Sequence, residues 1–249
     1  GDGIIVRIGP RHDVAGIAFV RNGGPSTTVK RPVLRDLDAL PLPAWDLIDL
    51  APYRAIWKES QGHFSLNMAT TRGCPFKCNW CAKPIYGNRY NSRSPEHVVR
   101  ELELLKELGA PDHIWFADDI FGLKPGWVQR FNEVLRERNI TVRYTIQSRV
   151  DLLLEGDTID ALVASGLQEV WVGAESGSQR IHDAMDKGTR VEQIAQATRA
   201  LRSKGVRVCF FLQFGYLDET EAEVEQTIRM VEELMPDIVT MENVPTVTK

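Results

Sequence analysis

From residue 64 onward, apolar positions alternate between two spacings, and that alternation predicts the architecture. Short apolar runs over residues 64–69, 113–117, 142–146, 169–173, 206–214 and 237–241 predict six strands. Between them, apolar residues recur at helical spacing. Residues 94–108 carry Val98, Leu102, Leu105 and Leu108 on one face, with Ser94 as N-cap, Pro95 at the first position and Gly109 as stop. Residues 125–137 place Val128, Phe131 and Leu135 on one face, and Asp157 caps a short helix that ends before Gly166. A helix over 191–204 stops at Gly205, and Thr220 with Glu223 forms a capping box that opens a helix reaching about residue 234. The run 206–214 is almost wholly apolar, as a strand buried on both faces requires. Six strands alternating with five helices predict parallel βα units with right-handed crossovers, in which chemistry collects at the C-terminal ends of the strands.

Residues 1–62 have a different pattern. Two strand-like runs, 4–8 and 17–20, are separated by turns, and Asn22-Gly23-Gly24-Pro25 is a turn signal. Leu40-Pro41-Leu42-Pro43-Ala44-Trp45 reads as extended chain, because each proline restricts itself and the residue before it. With little periodicity, this part is expected to be a small irregular and β-containing linker that wraps a neighbouring domain, and residues 63–249 to be the main α/β domain.

Composition narrows the function only by exclusion. Of 249 residues, 43% are hydrophobic and 26% charged, as in a soluble globular protein, and the net charge of −4 with scattered basic residues predicts no nucleic-acid partner. No apolar run approaches the roughly 18–20 residues of a membrane span, and Gly1-Asp2-Gly3 does not open a secretory signal. A cytoplasmic location is expected. The chain does not begin with Met and ends soon after a strand-like segment, so it is expected to be an excerpt of a longer protein.

The candidate chemistry lies in the loop after the first of the six strands. Cys74, Cys78 and Cys81 have a C-x3-C-x2-C spacing, and the fourth cysteine, Cys209, lies far away inside an apolar strand, where it reads as a small buried hydrophobe. An iron–sulfur cluster normally takes four thiolates and a structural zinc four ligands. Three local thiolates on a four-iron cluster would leave one iron open to a non-protein ligand. The alternative is a zinc site completed by His63 or His97, although zinc spacing favours a second pair of ligands further on.

This loop, with Trp80 just before its last cysteine, resembles the cluster motif of the radical S-adenosylmethionine (SAM) enzymes. The resemblance covers roughly residues 64–244. Phe116-Ala117-Asp118-Asp119-Ile120-Phe121 resembles the family's second-strand ending, Val172-Gly173-Ala174-Glu175-Ser176-Gly177-Ser178 its fourth, and Phe210-Phe211-Leu212-Gln213-Phe214-Gly215-Tyr216 its fifth. Leu37 to Asp46 resembles the linker placed after a cobalamin-binding domain in one branch, and within that branch the chain is similar to the anaerobic magnesium-protoporphyrin monomethyl ester cyclase group. The resemblance implies a partial (β/α)6 TIM-like barrel, a [4Fe–4S] cluster on Cys74, Cys78 and Cys81, SAM on the open iron, and cobalamin held mainly by a preceding domain. It further implies a small-molecule substrate, an electron donor such as flavodoxin or ferredoxin, and cleavage of SAM that drives radical chemistry on an unactivated carbon. Cobalamin-dependent methylation is the expected reaction; oxidative cyclisation of a tetrapyrrole and a non-catalytic metal-binding module are the alternatives.

For the cofactor contacts, each residue also has a plainer reading. Asp118 is expected to meet the SAM ammonium group, though either it or Asp119 could cap the next turn. Glu175 closes a buried strand and needs a partner, which a ribose hydroxyl or the ammonium would supply. Ser176 is a SAM contact or a helix cap. Arg149, after Gln147 at the third strand's end, is either a bidentate partner for the SAM carboxylate or half of a surface ion pair. Gln213 faces a ligand or bonds a neighbouring strand, and Trp80 packs beside the adenine or is structural. Glu219, Glu221, Glu223 and Glu225 read as the solvated start of a helix. One departure bears on the backbone: where the family has Pro-Gly after the fifth-strand glycine, this chain has Leu217-Asp218, and Asp adopts positive φ less readily than Gly. The chain also ends in Val244-Pro245-Thr246-Val247 rather than the family's Pro-Gly-Thr continuation, so the last helix and the C-terminal region beyond it are expected to be missing.

Overall fold

The computed structural model describes residues 14–81, 86 and 88–243. The strand expected over 4–8 lies outside them. Two compact units divide at Arg35 and Asp36. In the first, β1 (Ala18–Arg21) and β2 (Gly24–Thr27) pair antiparallel as a hairpin. Asn22 and Gly23 sit at its tip with φ of 51° and 79°, the left-handed pair that matches the twist of a two-residue hairpin.

The second unit is built on one six-stranded sheet: β3 (Ser65–Met68), β6 (His113–Phe116), β7 (Tyr144–Ser148), β8 (Leu167–Glu175), β9 (Arg207–Phe214) and β10 (Ile238–Asn243). Their order across the sheet is the order along the chain, and every pairing is parallel. This is the partial TIM-like α/β fold expected from the sequence. A small antiparallel ladder, β4 (Thr71–Arg72) with β5 (Asn91–Ser92), closes the base of the cysteine loop.

Alternation along the strands sorts side chains into two faces. Met68, Ile114, Phe116, Ile146, Val170, Val172, Val208 and Phe210 belong to the apolar core beneath the helices. Those helices include α2 (Pro95–Leu108), α3 (Trp127–Glu137), α5 (Thr158–Ser165), α7 (Val191–Ser203) and α8 (Glu221–Leu234). Burying one such apolar side chain stabilises by roughly 1.5–3 kcal/mol, so this face drives folding. The opposite face carries Trp115, Thr145, Gln147, Trp171, Gly173, Phe211 and Gln213, a mixture of aromatic, polar and small residues, and its C-terminal end supplies the floor of a cavity.

Most predicted elements lie within two residues of the observed ones. The Ser94 side chain accepts from the His97 amide, and the Thr220/Glu223 capping box forms in full. Asp157 occupies its N-cap position without a side-chain bond to the helix, because its Oδ1 accepts instead from Gln129. Within the stretch expected to be irregular, the structure has a helix, α1 (Ala51–Gln61). It buries no residue, and its apolar positions Tyr53, Ile56 and Trp57, at helical spacing, stay exposed or half-buried; that spacing, Pro52 near its start and left-handed Gly62 at its end were the available signals. The short helices α4 (Val150–Leu153) and α6 (Gln179–Ala184) span too few turns to show a period. The Leu40–Trp45 segment is bound to α2: Asp38 accepts from the Ser94 amide at 2.9 Å, and Trp45 Nε1 donates to Glu101 Oε1 at 2.9 Å.

Candidate functional site

The cysteine loop leaves β3 and is held at three places. At its base, Asp118 from the end of β6 accepts from the Thr70 and Thr71 amides at 2.7 and 2.9 Å and from the Thr70 hydroxyl. In its middle, Phe76 packs under the Arg149 guanidinium, 3.7 Å from ring centroid to Cζ. Near its end, Asn79 donates from its backbone to Met185 O at 3.0 Å and from Nδ2 to Ala184 O at 2.7 Å, while Tyr216 OH donates to Asn79 Oδ1 at 2.8 Å. Gly73 permits the turn into Cys74. Its φ is +83°, and a Cβ there would stand 2.3 Å from Arg89 O.

All three cysteines line one cavity of about 450 Å³ at the C-terminal ends of the strands. Its walls come from every later strand or the turn after it: Asp119, Gln147 and Arg149, Trp171, Gly173 and Glu175, Phe211 and Gln213, and Glu242. Trp171 packs between Trp115 and Phe211, with centroids 6.5 and 4.8 Å away, and makes the floor aromatic.

Glu175 sits at the strained centre of this wall. It is 2% exposed, its φ is +55°, and the β8–β9 register shifts immediately before it. Oε1 accepts from Lys187 Nζ, also buried, which lies between α6 and α7 and lines the cavity. Among the described residues Oε2 has no partner, and neither does Gln213 Oε1 nor Trp80 Nε1, although all three atoms are buried. Buried polar atoms are nearly always satisfied, so three orphans around one cavity mark it as shaped for a polar ligand. Gly173 leaves room for this arrangement, because a Cβ there would meet both Glu175 Oε1 and Lys187 Nζ.

The chain matches the family model of the radical SAM superfamily over residues 68–231. It belongs to the radical SAM superfamily. An uncharacterized methyltransferase of Pyrococcus horikoshii is 29% identical over 89% of this chain and 47% of its own length. The anaerobic magnesium-protoporphyrin IX monomethyl ester cyclase of Rubrivivax gelatinosus is 29% identical over 92% of this chain and 41% of its own. The chain thus spans less than half of either relative. Among solved structures, the cobalamin-dependent SAM radical enzyme OxsB superposes with a TM-score of 0.69 at 22% identity, covering 88% of this chain and 32% of that one. The radical SAM methyltransferase TsrM of Kitasatospora setae does so at 0.64 and 22%, covering 71% and 36%. At these identities the shared property is the fold.

Membership of the radical SAM superfamily implies a [4Fe–4S] cluster and SAM, and the cavity's residues fit both. Three cysteines lie on one wall, and orphaned acceptors and an orphaned donor lie around it. The zinc alternative loses its proposed fourth ligands. The His63 ring packs on Trp57 and His113 at the other end of the strands, and His97 Nδ1 accepts from Arg93 Nε at 2.9 Å.

Of the residues expected to contact the cofactor, Trp80, Arg149, Glu175 and Gln213 line the cavity. Asp118 and Ser176 do not. Asp118 is 3% exposed with its carboxylate taken up by Thr70 and Thr71, and burial raises its pKa to about 6 against the pull of those donors. The member of the pair that reaches the cavity is Asp119, because successive residues leaving a strand point to opposite sides. Ser176 is fully buried, at 3.1 Å from Thr227 Oγ1 and accepting from the Ser178 amide, so it ties β8 to α8. Arg149 lines the cavity yet already holds Asp151 through two bonds of 3.0 Å and donates to Lys187 O. Lys187 is a cavity residue that sequence reasoning missed, as are Trp171 and Glu242. Lys187 stands outside any strand ending, and only its neighbours Asp186 and Gly188, both with positive φ, hint at a constrained turn. Glu223 also departs from expectation, being buried and bound by Arg180, Ser178 and Thr220.

Proposed function

We propose that residues 63–249 form the SAM-binding barrel of a larger enzyme that functionalises an unactivated carbon of a small-molecule substrate, with cobalamin-dependent methylation as its reaction. The observation that carries this reading is the meeting of Cys74, Cys78 and Cys81 with three partnerless buried polar atoms around one cavity. When bound, the cluster and SAM supply one-electron cleavage of a carbon–sulfur bond. The chain's own residues supply position. The three thiolates hold the cluster and leave its fourth iron to SAM. Glu175 Oε2 accepts from the SAM ammonium or a ribose hydroxyl, and Asp119 rather than Asp118 provides a second carboxylate. Lys187, already oriented by Glu175, faces the SAM carboxylate, with Arg149 behind it. Gln213 Oε1 accepts from a ligand N–H or O–H, Trp80 donates its indole N–H, and Trp171 with Phe211 excludes water from below.

The methyltransferase names among the relatives support methyl transfer. Cobalamin would be held by a segment outside this chain, the Leu37–Asp46 linker leading from it. An electron donor of the flavodoxin or ferredoxin type and a cytoplasmic location complete the proposal; no helix among the described residues is long and apolar enough to cross a membrane. The cyclase-named relatives, equally similar, favour tetrapyrrole cyclisation as the second reading. Anaerobic reconstitution, reduction and product analysis test both. 5′-Deoxyadenosine is expected; its absence together with absent SAM binding would leave only a non-catalytic metal module. Release of S-adenosylhomocysteine as well separates methyl transfer from cyclisation.

A further inference from the structure

Glu175 and Lys187 form a buried pair at the cavity wall, and one further side chain ties down the backbone around both. His182, on α6, is fully buried. Its Nε2 lies 2.9 Å from Ala174 O and 2.9 Å from Ser176 O, the carbonyls before and after Glu175. Its Nδ1 lies 3.0 Å from Oγ1 of buried Thr189, just beyond Lys187, and its own carbonyl accepts from the Lys187 amide at 3.1 Å. Carbonyl oxygens only accept, so Nε2 carries the hydrogen, and Nδ1 of the neutral ring accepts from the Thr189 hydroxyl. Burial pushes the ring's pKa down, which keeps it in that neutral form.

The backbone at Glu175 needs such support. Ser176 N donates to Ala174 O at 2.7 Å across it, and φ of Glu175 is +55°, so this residue is the middle of a three-residue turn of the strained, positive-φ kind. The β8–β9 register breaks at the same place. The turn that carries Lys187 is constrained as well, with Asp186 and Gly188 at φ of 53° and 70°. An apolar residue in place of His182 would fill space, as buried Ile181 beside it does, but would hold neither turn. We infer that His182 is a positioning residue for SAM binding: it fixes the Glu175 turn through two carbonyls and the Lys187 turn through Thr189, and so aims the Glu175–Lys187 pair into the cavity. This inference rests on the proposed contacts of that pair with SAM. His182 is outside the cavity lining and acts only through the pair. Strained backbone persists only where its surroundings over-determine it. A pair held in this way is set before the ligand arrives, so less of the binding free energy goes into ordering it.

The test has two arms on cluster-loaded protein. Anaerobic calorimetry measures SAM affinity, and hydrogen exchange without SAM follows the Ser176 and Lys187 amides. His182→Leu should weaken SAM binding by about tenfold or more and quicken exchange at both amides, because a preorganised site tolerates little displacement. His182→Gln keeps an N–H donor for the two carbonyls and should bind SAM within about threefold of the wild type. Packing alone would instead rank leucine level with glutamine or above it in this buried place. Thr189→Val cuts the tie to the Lys187 turn only. It should quicken exchange at Lys187 but not at Ser176 and weaken SAM binding by about threefold. Cluster absorbance and the urea midpoint check that each variant folds. Folded His182→Leu protein that binds SAM as tightly as the wild type or the glutamine variant would overturn the positioning role, as would unchanged exchange at both amides. Where His182→Leu does not fold, Thr189→Val carries the test, and wild-type affinity with wild-type exchange at Lys187 overturns the role. Wild-type protein that binds no SAM would instead overturn the proposed function, while the exchange arm still decides whether His182 holds the two turns.

Discussion

The two ends of the same sheet handle buried polarity in opposite ways. At the N-terminal end, Ser65 Oγ meets His113 Nδ1 and His113 Nε2 meets Thr145 Oγ1, both at 2.9 Å; Arg207 pairs with Glu169 at 3.0 Å, and Trp171 Nε1 donates to the same carboxylate. Asp112 and Asp237 each accept a strand-opening amide, from Phe64 and Val208. Each of these polar groups has found a protein partner. At the C-terminal end, Trp80 Nε1, Glu175 Oε2 and Gln213 Oε1 have found none among the described residues. The strands, the twist and the apolar backing are common to both ends, so architecture cannot explain the difference. An unsatisfied buried polar group costs about 1–3 kcal/mol, so a polar ligand that met these three around one cavity would remove that cost.

Breaking the ligand end at its centre should have the largest effect. Cys78→Ala is expected to abolish both the cluster absorbance and SAM cleavage in reconstituted protein, and retained cleavage would refute Cys78 as a ligand. Next, Lys187→Ala leaves Glu175 buried without its cation and should cost about 3 kcal/mol in urea unfolding. Arg207→Ala at the opposite end removes a half-exposed partner and should cost less than about 1 kcal/mol. Equal losses would show that the two ends do not differ in the way described.

The ends should also titrate in opposite senses. Asp118 has its pKa raised to about 6, chiefly by burial, so the folded state binds its proton more tightly than the unfolded chain does. Its contribution to stability is therefore largest below pH 4 and falls as pH rises toward 6, by about 3 kcal/mol for a shift of this size. Unfolding of Asp118→Asn should lack that pH-dependent loss. His113 has its pKa lowered to about 4 by burial and by His63, so its contribution is present at neutral pH and is lost as pH falls from 6.5 toward 4. His113→Gln should flatten the acid limb instead. The smallest effect concerns the turn after β9, where Asp218 has φ of +60° and its carbonyl accepts from Arg180. Asp218→Gly should be neutral within about 0.5 kcal/mol in thermal unfolding, whereas Asp218→Val should lose about 1–2 kcal/mol.

That turn illustrates how far the sequence could be read. Leu217-Asp218 in place of Pro-Gly put the backbone conformation in question, and the answer lay 38 residues away in Arg180, which also binds Glu223. By contrast, the helix over Ala51–Gln61 was legible in the spacing of Tyr53, Ile56 and Trp57 and in Pro52 at its start, but it follows a proline-rich extended segment and buries nothing.

By itself the sequence determined the strand–helix succession, the caps at Ser94 and Thr220, and the cysteine loop at the end of the first sheet strand. These are local consequences of spacing, of backbone donors that need acceptors, and of apolar faces that must be covered. Only the tertiary structure decided which polar residues are spent on the protein and which remain for a ligand. Asp118 and Asp119 are neighbours of one chemistry, yet one clamps Thr70 and Thr71 while the other lines the cavity. Ser176 went to Thr227, Arg149 to Asp151, and Lys187 came to Glu175 from a turn that no motif marks. A hydrogen-bonding group's role depends on which partners come within about 3 Å, and those of Asp118 and Ser176 lie 48 and 51 residues away along the chain.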